Sequence, residues 1–303
     1  MQRFWGTGHL ELDWDAPSRR PEYGFLGQTM AGRGLLKYHI VGTLWVGRSS
    51  IIYRATDPHN TVVAIKMLLP DTKGNRRALR EMEHEARYTL QLDHPNIVQA
   101  IEYVRDAPMP ALILEYFSTE NLKTSIVRSE DFIHQHAHRI VVQVCEALGY
   151  VHQSGLIHRD IKPENVLVAP DGAAKLIDFA LAEPFGRKWS LSFLRRRISG
   201  TRPYIAPETI RRQPPDPRTD IYSLGVTIYE MLTGRPPFSA GDRDILLRKH
   251  LSEQPTYMRA SHPNISLKMD ELVMQMLRKK PHQRPENCEE IVARMQDIRV
   301  FDS

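Results

Sequence analysis

The stretch HRDIKPENVL, residues 158–167, is the part of the chain on which its interpretation depends. It places a carboxylate, an ammonium group and an amide close together, at Asp160, Lys162 and Asn165. A polar turn that closes a helix would also contain such residues. We favour a site of chemistry over that alternative, because an ordinary turn would have to match three functional spacings by accident.

Two further sequence motifs lie on either side of this stretch. KLIDFALA, residues 175–182, contains Asp178, and VAIK, residues 63–66, ends in Lys66 within a run of β-branched residues. The three strings resemble the catalytic loop, the D-F-G motif and the strand lysine of the eukaryotic-like (Hanks-type) serine/threonine protein kinases. This resemblance leads to expectations about the fold, the reaction and the site.

The resemblance implies transfer of the γ-phosphate of ATP to serine or threonine hydroxyls of protein substrates. In that reaction Asp160 would lie beside the acceptor hydroxyl, and Lys162 would lie near the moving phosphoryl group. Asn165 and Asp178 would hold magnesium, with two Mg²⁺ ions expected. Lys66 would contact the α- and β-phosphates. The expected cofactors are therefore ATP and Mg²⁺.

The family pairs its strand lysine with a helix carboxylate, and three glutamates compete for that catalytic role here. Glu81, Glu83 and Glu85 all lie in REMEHEARYTL, residues 80–90. We choose Glu85, because it lies nine residues before His94 of HPNIV, the spacing that the family usually shows. A solvated helix face is the alternative for all three glutamates.

Nucleotide binding is expected in a cleft, because a β-rich lobe that precedes a helical lobe implies one between them. LILEYF, residues 112–117, should supply the gatekeeper residue and the hinge that binds adenine. The apolar residues of this set could equally be plain core. The expected nucleotide-binding residues are Leu44, Gly47, Ile52, Ala64, Lys66, Leu114, Glu115, Phe117 and Leu167.

Matches to the family pattern outside these motifs indicate that the whole fold is present. GTRPYIAPE, residues 200–208, resembles the end of the family's activation segment. Arg284 is positioned to form the family's buried ion pair with Glu208, and Asp220 resembles the helix aspartate that anchors the catalytic-loop backbone. These matches disfavour a distant phosphotransferase, such as an antibiotic or choline kinase.

Serine or threonine specificity is expected from two residues. Lys162 lies two positions beyond Asp160, and the resemblance places Thr201 beside both of them. Tyrosine kinases differ at both positions. The expected protein partners are therefore substrates that present serine or threonine.

The resemblance implies an α+β, bilobal protein-kinase-like fold. We expect a small β-rich N-lobe with one helix over residues 38–117 and a larger, mainly helical C-lobe over 118–298. Residues 1–37 and 299–303 are expected to be tails. One buried helix face is predicted from the spacing of Ile140, Val141, Val144, Ala147, Leu148 and Val151,. Helices are predicted near 75–92, 219–233, 243–252, 269–278 and 287–298.

The chain departs from the family pattern in the phosphate loop and in D-F-G. LWVGRSSII, residues 44–52, has Trp45 and Ser50 where the family prefers glycine, and it keeps only Gly47. The added Cβ atoms should restrict the loop near the phosphates. Ala180 replaces the D-F-G glycine, which should cost backbone freedom at positive φ and reduce switching. The alternative to an active kinase is a pseudokinase that binds nucleotide or a partner, and the retained catalytic groups argue against it.

Because Arg159 precedes the catalytic aspartate, the family pattern predicts that a phosphorylated residue of the activation segment pairs with it. The candidates are Ser190, Ser192 and Ser199. We expect autophosphorylation at Ser192 or Ser190. A solvated basic loop around the arginines at 195–197 is the alternative.

Composition limits the other classes of function. The 41 basic and 36 acidic residues give a net charge of +5, which favours polyanions such as nucleotides,. The basic residues form no long arm with interleaved aromatics, so nucleic acid is not an expected partner. No stretch approaches the length of a membrane span, and the start lacks the apolar run of a secretory signal. We therefore expect a cytoplasmic protein without membrane insertion.

Overall fold

The structure is a computed structural model, and it describes residues 37–47, 49–69, 75–105, 110–186 and 200–302. The chain divides into two compact units. They comprise Met1–Met82 with Ala100–Tyr116, and Glu83–Gln99 with Phe117–Ser303. The predicted tail at residues 1–37 lies almost entirely outside the described residues. The predicted lobe boundaries stay predictions.

The first unit is built on an antiparallel sheet of five strands in the order β1-β2-β3-β5-β4. Tyr53, Ile65 and Ile113 lie opposite one another on neighbouring strands and belong to the core of this unit. Because side chains alternate between the faces of a sheet, the adjacent positions on these strands point away from that core. The strands are β1 His39–Val46, β2 Ser50–Thr56, β3 Val62–Leu68, β4 Ala100–Val104 and β5 Ala111–Glu115.

Helix α1 spans Arg76–Thr89, within the range predicted for it. Asn75 caps its start, because the Asn75 side chain accepts the backbone N–H groups of Arg77 and Ala78 at 3.1 and 3.3 Å,. Ala78 and Met82 pack into the core of the first unit. The second half of α1 belongs to the second unit.

The second unit is mainly helical. Its helices are α2 Leu122–Arg128, α3 Glu130–Gln153, α4 Pro207–Ile210, α5 Pro217–Thr233, α6 Arg243–Ser252, α7 Leu267–Met276 and α8 Cys288–Met295. Its short strands are β6 Glu120–Asn121, β7 Leu156–Ile157, β8 Val166–Val168, β9 Ala174–Leu176 and β10 Glu183–Pro184. They form a three-stranded sheet, β6-β8-β9, and a pair of β7 with β10.

Helices α3 and α5 supply much of the core of the second unit. The stripe predicted for α3, from Ile140 to Val151, is buried throughout, which confirms that prediction. Helix α5 starts at a capping box formed by Asp216 and Thr219, and it ends at Gly234, whose φ of 73° is left-handed,. Almost every residue of α5 is buried, so the helix is a rigid base for the loops packed on it.

The predicted α+β class is confirmed by the β-sheet of the first unit and the helices of the second. The four later helices predicted from the sequence correspond to α5, α6, α7 and α8 with shifts of a few residues at their ends. Among the described residues, no helix combines the length and the apolar character that a membrane crossing requires.

Candidate active site

The catalytic loop, residues 158–167, is anchored by a buried carboxylate of helix α5. Asp220 accepts the backbone N–H groups of His158 and Arg159, both at 2.8 Å, and a hydrogen bond from Nε2 of His152 at 2.9 Å. Burial by itself raises the pKa of Asp220, but the hydrogen bonds and charges of the two histidines lower this pKa below its usual value,. The prediction that Asp220 anchors the loop backbone is confirmed.

A lysine and a threonine converge on the carboxylate of Asp160. Nζ of Lys162 lies 2.5 Å from Oδ2 of Asp160, and Oγ1 of Thr201 donates to Oδ1 at 2.8 Å. Nζ of Lys162 also donates to Oγ1 of Thr201 at 2.8 Å, and the Thr201 backbone N–H donates to Oδ1 of Asp160 at 3.0 Å. The three residues therefore form a closed network, and Thr201 lies beside Asp160 and Lys162 as the resemblance implies.

Asn165 is oriented so that its amide oxygen is available to a cation. Its Nδ2 group donates to the backbone oxygen of Asp160 at 2.8 Å and lies 3.3 Å from the Asp160 carboxylate. The backbone oxygen of Asn165 accepts the N–H of Ile177 at 3.0 Å, which brings the residue before Asp178 against the catalytic loop. An amide oxygen and a carboxylate are ligands that Mg²⁺ prefers, so this donor set fits the predicted metal.

In the turn at Asp178, the aspartate itself has a left-handed backbone conformation. The φ of Asp178 is 68°, and Ala180 is not among the described residues with positive φ. Phe179 is buried, and its ring centroid lies 4.7 Å from that of His158. Ala180 is thus accommodated without the strain expected for a residue that replaces glycine. The expected effect of Ala180 on switching stays a prediction.

Four predicted nucleotide-binding residues share one face of the first unit's sheet. Ile52 lies opposite Lys66, and Ala64 lies opposite Leu114. These residues alternate with those that pack into the core, so they occupy the other face,. The four residues therefore share the sheet face that is turned away from the core of the first unit, and their contribution to nucleotide binding stays a prediction.

The other predicted nucleotide-binding residues are spread over both units. Leu44 lies in β1, Gly47 follows that strand, and Glu115 ends β5. In the second unit, Leu167 lies in β8, and Phe117 begins the segment that leads to β6. Their contribution to nucleotide binding stays a prediction.

Burial distinguishes Glu85 from the other two glutamates of α1. Glu85 is only 5% exposed, whereas Glu81 is exposed and pairs with Arg77 at 2.7 Å. Thr89, one turn beyond Glu85, donates its hydroxyl to the Glu85 backbone oxygen at 2.8 Å, so this buried hydroxyl is satisfied within the helix. Glu85 is therefore the most buried of the glutamates compared, and the role that the resemblance assigned to it stays a prediction.

In the loop that departs from the family pattern, Gly47 and Ser50 are joined by a backbone hydrogen bond beside an indole. The N–H of Gly47 donates to the backbone oxygen of Ser50 at 2.8 Å. A Cβ at Gly47 would lie 2.0 Å from the ring of Trp45, so the indole occupies the space beside the glycine. A side chain at position 47 would therefore require the indole of Trp45 to shift, and this ring is half-exposed.

The buried ion pair predicted between Glu208 and Arg284 is present. The guanidinium nitrogens Nη1 and Nη2 of Arg284 donate to the two carboxylate oxygens of Glu208 at 2.7 and 2.8 Å. Arg284 also donates to the backbone oxygens of Arg218 and Arg278, so α4, α5 and the segment before α8 are joined at this point. This prediction is confirmed.

Arg159 of the catalytic loop has a carboxylate partner that the sequence interpretation missed. Its Nη1 lies 2.8 Å from Oε1 of Glu183, and the two side chains are 9% and 12% exposed. The serines proposed as phosphorylation sites lie outside the described residues. No signal along the sequence identifies Glu183, because the pairing of β10 with β7 brings it to Arg159.

The protein kinase domain family model matches residues 38–295. This chain belongs to the protein kinase family. It is 30% identical to a probable serine/threonine-protein kinase of Clostridium perfringens over 87% of this chain and 38% of that protein. It is 31% identical to the serine/threonine-protein kinase PknB of Mycobacterium leprae over 85% of this chain and 42% of PknB.

A third relative is PknB of Mycobacterium tuberculosis, 28% identical over 91% of this chain and 43% of that protein. The chain thus spans about two fifths of the length of the curated relatives that it matches. All three relatives are named serine/threonine-protein kinases, which agrees with the family predicted from the sequence.

Proposed function

We propose that the chain is a serine/threonine protein kinase that transfers the γ-phosphate of Mg²⁺-ATP to hydroxyls of protein substrates. The observation that carries this proposal is the network of Asp160, Lys162 and Thr201. A fixed carboxylate next to an ammonium group is what an acceptor hydroxyl and a moving phosphoryl group require.

In this reaction Asp160 accepts the proton of the substrate hydroxyl and orients its oxygen toward the phosphorus. Lys162 stabilises the negative charge on the phosphoryl group as it moves. Thr201 holds both side chains in place through its hydroxyl and its backbone N–H. We expect serine or threonine as the acceptor, because Thr201 lies at a position of the sequence where tyrosine kinases have a different residue.

Asn165 and Asp178 would hold Mg²⁺, and the ion would neutralise charge on the nucleotide phosphates. Lys66 would contact the α- and β-phosphates, with Glu85 as its carboxylate partner. We further propose that residues 38–117 bind most of the nucleotide, through the sheet face that contains Ile52, and that residues 118–298 supply the acceptor site.

A phosphotransfer assay tests the proposal. The wild type and Asp160→Asn are incubated with γ-labelled ATP, Mg²⁺ and a generic protein substrate, and the labelled residue type is identified by phosphoamino-acid analysis. We expect Asp160→Asn to lower incorporation by about 100-fold or more. The matched control is Asp302→Asn, which removes an exposed carboxylate paired with Arg259 and should retain full activity.

Equal incorporation by the wild type and Asp160→Asn would refute the proposed catalysis. If neither protein transfers phosphate but both bind ATP, the pseudokinase alternative replaces the enzyme. Label found on tyrosine alone would refute the specificity and leave the kinase activity standing.

A further inference from the structure

Arg159 is a charged residue that the proposed reaction leaves without a role. Its side chain is 9% exposed, and that of Glu183 is 12% exposed, so their 2.8 Å ion pair is largely removed from water. A guanidinium group removed from water is costly unless an anion compensates its charge. The anion that pairs with Arg159 therefore determines whether the Arg159 side chain keeps its position.

The backbone of Arg159 also depends on its surroundings. Its φ is 69°, in the left-handed region that residues with a Cβ rarely adopt,. Such a conformation persists where neighbouring groups hold it. The Arg159 N–H is fixed by Asp220 at 2.8 Å, and Glu183 engages the other end of the residue. Arg159 is thus secured through its backbone and its side chain, immediately before the catalytic Asp160.

Strand pairing brings Glu183 to this position. β10 pairs with β7, and Glu183 lies directly opposite Ile157. Arg159 lies two residues beyond Ile157, and its side chain meets that of Glu183 at 2.8 Å. The N–H of Phe185 donates to the oxygen of Gly155 at 3.2 Å, which extends the pairing by one more bond.

Ala182, the residue before Glu183, is also held in place by hydrogen bonds. The Ala182 N–H donates to the oxygen of Phe179 at 3.0 Å, and the Ala182 oxygen accepts a hydrogen bond from Nε2 of His84 at 2.6 Å. His84 directly precedes Glu85 on α1. Glu183 therefore lies in a short segment whose backbone is hydrogen-bonded on both sides of it, at Ala182 and at Phe185.

We propose that Glu183 is a positioning residue: it is the built-in anionic partner of Arg159, and it keeps the catalytic loop in its active arrangement without a phosphate on residues 187–199. The proposal rests on the proposed kinase function. It differs from the family expectation, in which a phosphorylated residue supplies the negative charge. Glu183 touches neither nucleotide nor acceptor in this role, because it acts through Arg159.

The first test is steady-state kinetics of Glu183→Gln. Glutamine keeps the size of the side chain and removes its charge, so Arg159 loses its counterion and the loop that contains Asp160 loses its fixed position. We expect kcat to fall by about tenfold or more, with KM for ATP within about twofold of the wild type. Glu183→Asp, which keeps the charge on a shorter side chain, should recover part of the lost kcat.

Asp302→Asn is the matched control, since its ion pair with Arg259 has the same 2.8 Å distance but is exposed. It should change kcat by less than about twofold. Retention of more than half of the wild-type kcat by Glu183→Gln would overturn the proposal. So would a fall in kcat for Glu183→Asp as large as that for Glu183→Gln.

The second test removes phosphate from the wild type. The protein is treated with a phosphatase, its unmodified mass is confirmed by intact-protein mass spectrometry, and the initial rate is measured before new phosphate accumulates. We expect at least half of the untreated rate. A loss of activity that returns only with phosphorylation within residues 187–199 would overturn the proposal.

A third test is independent of catalysis, so that failure of the kinase assignment is distinguished from failure of this inference. Unfolding in urea is measured for Glu183→Gln, Arg159→Met and the double variant. A coupled pair predicts that Glu183→Gln lowers the folding equilibrium constant by about tenfold or more in the wild type and by less than about threefold when Arg159 is already methionine. Equal effects in both backgrounds would overturn the ion pair as a positioning element.

Discussion

The replacement Asp220→Asn removes the charge at the base of the catalytic loop. The carboxylate accepts three hydrogen bonds, two from backbone N–H groups at 2.8 Å and one from His152 at 2.9 Å. Asparagine has one oxygen, so at least one buried N–H donor then faces the amide NH₂ of Asn.

The magnitude can be worked out from those contacts. Loss of a hydrogen bond that leaves a buried donor without an acceptor costs about 1–3 kcal/mol, and more where the lost partner is a charged group. We therefore expect the free energy of unfolding to fall by about 3 kcal/mol or more, which lowers Tm by roughly 6–12 °C for a domain of this size. Because the loop before Asp160 is loosened, kcat should fall together with stability.

Urea unfolding followed by circular dichroism measures the effect, with Asp302→Asn as the exposed control expected to lose less than about 1 kcal/mol. The pKa of Asp220 is lowered in the folded state, so its stabilisation is present above the unfolded pKa of about 3.9 and is lost as pH falls through the lower folded pKa,. The difference between wild type and Asp220→Asn should therefore shrink below about pH 4. A difference of less than about 1 kcal/mol at pH 7, or one that is constant down to about pH 2, would refute the reasoning.

Three further predictions concern local geometry. Gly47→Ala should displace the half-exposed indole of Trp45 at a cost of less than about 1 kcal/mol, and increased acrylamide quenching of tryptophan fluorescence would detect it,. Arg284→Met leaves the Glu208 carboxylate buried without its partner and should cost about 3–5 kcal/mol in urea unfolding, with an unchanged midpoint contradicting the argument,. Thr201→Val removes the hydroxyl that joins Asp160 to Lys162, so we expect kcat on a serine peptide to fall by about tenfold with a change in stability near 1 kcal/mol,. Unaltered kcat for Thr201→Val would show that this hydroxyl has no positioning role.

The sequence alone is sufficient to interpret the catalytic motifs because their geometry is local. Asp160, Lys162 and Asn165 lie within one short loop, and a loop of that length cannot separate them by much. The helix stripe of α3 was predictable for a similar reason, since the 3.6-residue period determines which side chains share a face. Glu85 was preferred to Glu81 by spacing, and its burial supports that preference.

Long-range pairing decided the rest. Glu183 faces Arg159 because β10 pairs with β7, and no spacing rule along the chain predicts which two short strands will meet. The indole beside Gly47 and the left-handed φ of Asp178 also depend on how neighbouring groups pack. The sequence therefore determined which chemical groups are present and which of them lie in one loop. The tertiary structure determined which charges meet, because burial makes an ion pair between distant residues strong only after the chain has folded around it.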